Sequence, residues 1–218
     1  MDATRIIEAA KQGDTAAIEE MLEKDPALVR ARAGNGETPV MAALYRGHAN
    51  LVTMLVAAGA PLDVFGAAAL GDDGALENAL ASDPEAVRAF AYDGWTPLHL
   101  AAFFGRARAL TRLLDAGAPL EAVSRNSLRN TPLHAAVAGG HVEVALQLIE
   151  RGADVNARDA GGHTPFHIAA EGGYVPVVKA LLARGADPHA VDAEERTPLA
   201  RAAARNHTEV VDLINLAR

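Results

Sequence analysis

Histidine is the residue whose spacing in this sequence most readily suggests chemistry. Three of the eight histidines, His99, His134 and His167, end tetrapeptides of the form Thr-Pro-x-His that follow one another at nearly equal intervals. An imidazole can bind a metal ion or transfer a proton. If each tetrapeptide belongs to one unit of a stacked array, however, successive rings lie about 10 Å apart, which is too far for one metal ion. We therefore predict a structural role for these three histidines.

No other sequence motif predicts catalysis or metal binding. Cysteine is absent from the sequence, which excludes thiol nucleophiles, zinc ribbons and disulfide bonds. The sequence contains no His-Glu-x-x-His helix, no Gly-x-Ser-x-Gly elbow and no glycine-rich phosphate loop with a lysine. Three serines, none with an obvious histidine and carboxylate arrangement, stand at Ser82, Ser124 and Ser127. We predict that the protein is not an enzyme and has no catalytic residue, cofactor or metal.

Charge and hydrophobicity narrow the classes of partner. The 218 residues are 50% hydrophobic and carry a formal net charge of −8, which disfavours general attraction to nucleic acids or anionic lipids. There is no apolar run of the length that spans a membrane. We expect a cytoplasmic protein with neither a nucleic acid nor a membrane as its partner. Seventeen arginines against three lysines suggest GC-rich coding and a bacterial source.

The Thr-Pro tetrapeptides also reveal an internal repeat. The five copies begin at Thr38, Thr96, Thr131, Thr164 and Thr197; the first interval is the longest, and the other three are nearly equal. A shorter repeat lies in the first interval, because residues 1–47 match residues 59–105 at a constant offset of 58, with Asp25-Pro26 matching Asp83-Pro84. A period of about 33 residues indicates a repeat array. We predict one domain over residues 1–218 with seven repeats, two of them shortened: 3–32, 33–65, 66–90, 91–123, 124–158, 159–191 and 192–218.

Each full repeat carries signals for two helices. Threonine can cap a helix, and the proline after it fits the first helical position, so the first helix begins at the tetrapeptide. A glycine such as Gly105 or Gly140 then ends that helix in a left-handed turn. The apolar residues that follow recur at helical spacing, which predicts a second helix. In the two shortened repeats, Asp25 and Asp83 are expected to cap a short turn that begins with proline.

These residues resemble the ankyrin-repeat family across the whole chain. The resemblance rests on the five Thr-Pro tetrapeptides, on the Gly47-His48 and Gly140-His141 steps, and on the segment 152–157 with the sequence Gly-Ala-Asp-Val-Asn-Ala. Residues 93–105 are also similar to a segment of small free-standing bacterial ankyrin proteins. The resemblance implies an all-α solenoid of about seven helix-turn-helix repeats joined by hairpin-like loops. It further implies that the tetrapeptide histidine bonds the threonine hydroxyl and a backbone group of a neighbouring loop.

The resemblance also implies a protein partner and the place where it binds. Partners of the family usually dock on the concave groove, which is made of loop tips and the exposed edges of the first helices. Transferred position by position, the partner-binding candidates are Tyr45, Arg46, Tyr92, Asp93, Trp95, Phe103, Phe104, Leu128, Arg129, Asn130, His163, Glu171 and Arg196. Tyrosine and tryptophan are frequent binding hot spots, so we expect Trp95 and Tyr92 to lie on the groove.

Two features of these candidates allow alternative interpretations. Phe103 and Phe104 either contact a partner or fill the space left by the missing loop of the shortened repeat. The loop 124–130 has two extra residues. It either contacts a partner that presents acidic side chains or backbone groups, or is an insertion without a function of its own.

We expect a non-catalytic, monomeric module for protein–protein interaction that acts as an adaptor, an inhibitor or an assembly factor. Self-association is the alternative function. A small-ligand protein or an enzyme would need a closed pocket with converging polar groups.

Overall fold

A computed structural model describes residues 2–217, and all regular structure within this range is helical. Two short 3-10 helices, Pro26–Arg30 and Pro84–Arg88, accompany fourteen α-helices. The α-helices are α1 (Asp2–Gln12), α2 (Thr15–Lys24), α3 (Pro39–Tyr45), α4 (Ala49–Ala57), α5 (Val64–Leu70), α6 (Asp73–Ser82), α7 (Pro97–Phe103), α8 (Ala107–Asp115), α9 (Pro132–Ala138), α10 (Val142–Glu150), α11 (Pro165–Gly172), α12 (Val175–Ala183), α13 (Pro198–Ala204) and α14 (Thr208–Leu216). The predicted all-α fold class is confirmed.

The first helices begin at the tetrapeptides, as predicted. Each threonine stands immediately before a helix whose first residue is proline, as at Thr38 and Pro39. The Thr38 hydroxyl accepts a hydrogen bond from the backbone N–H of Met41 at 3.3 Å, and the Thr197 hydroxyl accepts one from Ala200 at 3.2 Å. These bonds satisfy backbone donors that have no partner within the helix, and proline lacks the donor altogether.

A glycine ends helix α7 after only seven residues. Gly105 has a φ of 68°, in the left-handed region that favours glycine. A Cβ built at this position would lie 2.4 Å from Nδ1 of His141, so space also requires glycine here. The chain therefore reverses after seven helical residues, and α8 packs back against α7.

The two shortened repeats end in 3-10 helices because aspartate and proline begin them. The Asp25 carboxylate accepts a hydrogen bond from the backbone N–H of Ala27 at 3.0 Å, and the Asp83 carboxylate accepts one from Glu85 at 3.1 Å. Pro26 and Pro84 are the first residues of the two 3-10 helices. The predicted capping role of both aspartates is confirmed.

The chain divides into two compact units, of which the first ends at Gly66 and the second begins at Ala67. Helix α5 crosses this boundary, and the single domain over residues 1–218 stays a prediction. In the first unit α3 packs against both α1 and α4, and α2 packs against α1. Fully buried side chains between these helices are Ile6, Ile18, Leu51 and Leu55.

In the second unit the helices form two rows. The first helices α7, α9, α11 and α13 pack side by side in this order, and the second helices α8, α10, α12 and α14 do the same. Small side chains allow the close approach of the first helices, since Ala101, Ala135, Ala169 and Ala202 are fully buried. Large apolar side chains fill the remaining space between the rows, among them Leu98, Leu110, Leu133, Leu148 and Phe166. Burial of this kind supplies most of the stability of a repeat stack.

Candidate protein-interaction surface

The tetrapeptide histidines of the second unit connect each repeat to the next loop. Nδ1 of each ring lies 2.8 or 2.9 Å from the hydroxyl of its own threonine, as between His134 and Thr131. The Nε2–H group donates to a backbone carbonyl one repeat further along: His99 to Asn130 at 3.0 Å, His134 to His163 at 3.0 Å and His167 to Arg196 at 3.1 Å. We call these three arrangements the histidine bridges. They confirm the structural role that was predicted for all three residues.

Burial keeps the histidine bridges neutral. It lowers the pKa of His99 to about 4, against a smaller opposing effect of the bond to Asn130. Burial also lowers the pKa of His134 and His167. In the neutral ring one nitrogen donates and the other accepts, and here both nitrogens already have partners within the protein. These rings therefore have no free nitrogen for a metal ion or a substrate proton.

A second set of bridges starts at the residue before three of the second helices, α4, α8 and α14. The Arg106 Nε–H group donates to the carbonyl of Ala69 at 2.9 Å, and Nε2 of His207 lies 3.0 Å from the carbonyl of Glu171. In the first unit Nε2 of His48 lies 3.1 Å from the carbonyl of Lys11. This role was not predicted from the sequence, and of the three bridging residues only His48 stands in a Gly-His step.

Backbone hydrogen bonds hold successive loops of the second unit in a row. The N–H groups of Arg125, Ala160 and Ala193 donate to carbonyls of the preceding loop, which belong to Gly94, Leu128 and Gly161, at 2.8, 2.8 and 2.9 Å. Each loop is also closed within itself, as by the bond from Asp159 N–H to the carbonyl of His163 at 2.9 Å. The loop tips are thus fixed relative to one another within this unit.

Trp95 and Asn130 are buried, so the expectation that they are exposed at loop tips is wrong. Only 7% of Trp95 is exposed, because its ring packs edge to face against Phe103 with 5.0 Å between the ring centroids. Asn130 is 6% exposed, because its carbonyl accepts the hydrogen bond from His99 beneath the loop. Phe104 continues the aromatic cluster at 5.2 Å from Phe103. Both phenylalanines are half-buried, so each packs within the repeat and still contributes to the surface.

Two of the candidates, His163 and Glu171, belong to a charged cluster that also contains Asp192, Arg201 and Arg205. The Arg201 guanidinium donates through Nε to Asp192 at 2.8 Å and through Nη1 to Glu171. Nη2 of Arg201 lies 2.7 Å from Nε2 of His163. Since arginine only donates, Nε2 of His163 is the acceptor in this contact. The cluster joins the last two loops of the second unit to the first helices α11 and α13.

Arg201 and Asp192 were not predicted as a pair. Arg201 is only 9% exposed, although it is a charged residue of the last repeat. Burial opposes ionisation of Asp192, but hydrogen bonds from the Arg196 N–H, the Arg201 guanidinium and the Glu194 N–H outweigh it and hold its pKa well below the usual range. Hydrogen bonds from Arg205 first, and then from Arg201, lower the pKa of Glu171.

The remaining candidates differ in exposure. Of these eleven, Tyr45 and Arg46 belong to the first unit, and the other nine belong to the second. The exposed candidates are Arg46, Leu128, Arg129 and Arg196. The half-buried candidates are Tyr45, Tyr92, Asp93, Phe103, Phe104, His163 and Glu171. Partner binding at any of them stays a prediction.

Two features of residues 2–217 bear on other functions. Within this range no group of three or more histidine, aspartate and glutamate side chains is arranged to hold a metal ion. Nor does any helix of this range have both the length and the apolar character needed to cross a membrane.

Comparison with known proteins gives matches to three family models, all of them described as ankyrin repeats. A model of three repeat copies matches residues 64–159, a model of many copies matches residues 148–202, and a single-repeat model matches residues 35–66. Together the matches extend from residue 35 to residue 202.

Individual relatives share only part of their length with this chain. The probable E3 ubiquitin-protein ligase XBOS31 of rice is 42% identical over 99 residues, which are 45% of this chain and 22% of the ligase. The rice E3 ubiquitin-protein ligase XB3 is 44% identical over 94 residues, or 43% of this chain and 20% of that protein. The neurogenic locus Notch protein of Drosophila melanogaster is 50% identical over 66 residues, or 30% of this chain and 2% of Notch. The chain thus spans about a fifth of the two ligases, and all three relatives are eukaryotic.

Proposed function

The chain belongs to the ankyrin-repeat family, and on this basis we propose that it is a non-catalytic module that binds another protein. Ankyrin repeats generally mediate protein–protein interaction. The proposed binding surface is the groove formed by loop tips and by the exposed edges of the first helices. An adaptor, an inhibitor or an assembly factor would each use such a surface.

One observation carries the proposal: the recurring polar side chains are used to hold loops in place. The histidine bridges occupy both ring nitrogens of His99, His134 and His167. The polar groups of the tetrapeptide therefore form hydrogen bonds within the protein. The row of loop tips remains available to contact other molecules. Loops that a rigid scaffold holds in fixed positions are well suited to binding, because little entropy is lost on association.

The names of the two rice ligases do not alter this proposal. Their similarity to this chain is limited to about a fifth of each ligase. We propose that the shared segment recruits proteins, and we assign no ligase activity to this chain. The net charge of −8 supports a protein partner over nucleic acid or an anionic membrane.

Cross-linking to a captured partner tests the proposal. The full chain is used to capture proteins from lysate of the source organism, and a partner that also binds in purified form is cross-linked and mapped. We expect cross-links at loop tips and first helices. Cross-links restricted to second helices contradict the proposed surface.

Self-association is the alternative function, and light scattering at several concentrations distinguishes it. A constant monomer mass agrees with the proposal, whereas a mass that rises with concentration favours self-association. We also propose a cytoplasmic location and a bacterial source. The excess of arginine over lysine supports the bacterial source. A fluorescent fusion in the source organism checks the location.

A further inference from the structure

The loop 124–130, here called the inserted loop, differs from the other loops of the second unit. It makes the interval between Thr96 and Thr131 longer than the two intervals that follow, which end at Thr164 and Thr197. Leu128 at its tip is 52% exposed and is one of four exposed large hydrophobic side chains among the described residues. The loop contains Arg125 and Arg129 but no acidic residue, although the chain as a whole carries a net charge of −8.

Hydrogen bonds make the inserted loop rigid. The Asn126 amide donates to the carbonyl of Asp93 at 3.0 Å, and its oxygen accepts from the Leu128 N–H at 3.0 Å. The Asn130 N–H donates to the Ser124 hydroxyl at 3.0 Å. The backbone of the tip is therefore restrained before any partner arrives, which lowers the entropic cost of binding.

Arg129 is the cation of this loop that has no partner among residues 2–217. Its φ of 48° is unusual for a residue other than glycine and holds the residue at the turn of the loop. The side chain is exposed and makes no hydrogen bond or ion pair with the described residues. Arg125, in contrast, already lies over the Phe90 ring, 3.8 Å from its centroid. An added carboxylate can therefore pair with Arg129 at the tip.

Two buried polar atoms near the inserted loop also lack partners among the described residues. They are Nε1 of Trp95, which is a donor, and Oδ1 of Asn130, which is an acceptor. Buried polar atoms without hydrogen bonds are uncommon in folded proteins. A peptide group offers the complementary acceptor and donor. Both atoms are enclosed in the free chain, so pairing them requires that binding shift the side chains that cover them.

We propose that the inserted loop is the docking site for an acidic segment of a partner protein. A carboxylate of the segment pairs with Arg129, and an adjacent apolar side chain covers Leu128. The backbone of the segment supplies hydrogen bonds to Trp95 and Asn130. This assignment rests on the proposed function, and the local positive charge of the loop favours an acidic segment over a basic one.

Selection of random peptides on the full chain tests the assignment without knowledge of the natural partner. Selected peptides are synthesised, and their Kd is measured through the emission of Trp95, the single tryptophan. We expect peptides that combine aspartate or glutamate with an apolar residue. We expect Arg129→Glu to raise the Kd of these peptides about tenfold and Leu128→Ala to raise it by a smaller factor.

Two further variants control this experiment. Arg108→Glu makes the same change in net charge at an exposed position of α8 and leaves the Kd unchanged. Arg129→Gly removes the cation and introduces glycine, which readily adopts the left-handed backbone of this position. We therefore expect it to weaken binding without loss of stability.

Several results overturn the assignment. One is the selection of basic peptides, and another is a set of peptides whose Kd responds equally to Arg129→Glu and Arg108→Glu. Single-stranded DNA that binds more tightly than the acidic peptides, or a selection without any binding peptide, also overturns it. Peptides that cross-link to other loop tips refute the docking site but leave the proposed function intact. Cross-links of a natural partner restricted to second helices refute both.

Discussion

The histidine bridges and the charged cluster perform the same task in neighbouring parts of the second unit, with opposite chemistry. Each joins a first helix to loops of adjacent repeats. The bridges use neutral rings and recur in three successive repeats. The cluster uses the buried ion pair of Arg201 and Asp192 and occurs at one place. Removal of one partner from a buried neutral hydrogen bond costs at most about 1–3 kcal/mol, whereas a buried charge that loses its partner costs about 3–5 kcal/mol. We therefore expect the two regions to respond differently to substitution, pH and salt.

The largest expected effect comes from breaking the charged cluster. Arg201→Met leaves the Asp192 carboxylate buried without its guanidinium partner, and we expect unfolding free energy to fall by about 3–5 kcal/mol. Urea denaturation measures this change. Arg205→Met is the matched control, because Arg205 pairs with Glu171 at an exposed position, and its loss should cost less than about 1 kcal/mol. Equal losses for both variants contradict the importance of burial.

Acid is expected to weaken the histidine bridges before it weakens the cluster. The folded pKa of His99 is about 4, below its ordinary value of 6.5, so the unfolded chain takes up more protons once the pH falls below 6.5. The contribution of neutral His99 to the unfolding free energy is on the order of 3 kcal/mol. It is complete above pH 6.5 and declines as the pH falls towards 4. Urea denaturation at several pH values measures the slope of the unfolding free energy against pH. His99→Gln, which cannot titrate, should make it shallower, and an unchanged slope contradicts the assignment.

Removal of one bridge should have a smaller and local effect. His134→Leu takes away one of the two donors to the carbonyl of His163, which keeps its bond from the Asp159 N–H, so we expect a cost of about 1 kcal/mol. Hydrogen exchange should become faster in the loop 158–163 and stay unchanged in the loop 91–95. Unchanged exchange in both loops means that the bridge does not hold the loop.

The smallest expected effect concerns the aromatic cluster. Trp95→Phe removes an indole N–H that has no partner among the described residues and keeps a ring that can still pack against Phe103. Because no hydrogen bond is lost, we expect a change within about 1 kcal/mol in urea denaturation. A loss as large as that of Arg201→Met means that Trp95 is a main support of the fold.

Short-range signals in the sequence predicted the helices, and the resemblance to ankyrin repeats predicted the histidine bridges. The tetrapeptide places threonine and histidine three residues apart on one helical turn, so capping and the Thr131–His134 bond follow from local geometry. The resemblance implied that a backbone group of a neighbouring loop is the second partner of the histidine. Recurrence made these contacts recognisable.

Contacts that occur once were not predicted. Trp95 is buried by Phe103, which lies at the far end of the helix that follows, and no repeated pattern marks that contact. Arg201 meets Glu171 and His163 across 30 and 38 residues. Their positions resemble solvent-facing sites in the sequence, because a side chain's exposure depends on which neighbours the repeats place beside it.

Hydrogen exchange of the full chain, free and bound to a purified partner, tests the central claim most directly. The claim is that polar residues inside the repeats hold the loops so that the loop tips can bind another protein. We predict slower exchange on binding at the loop tips and the first helices of the second unit, with the inserted loop most protected. Protection confined to the second helices α8, α10, α12 and α14 would contradict the claim.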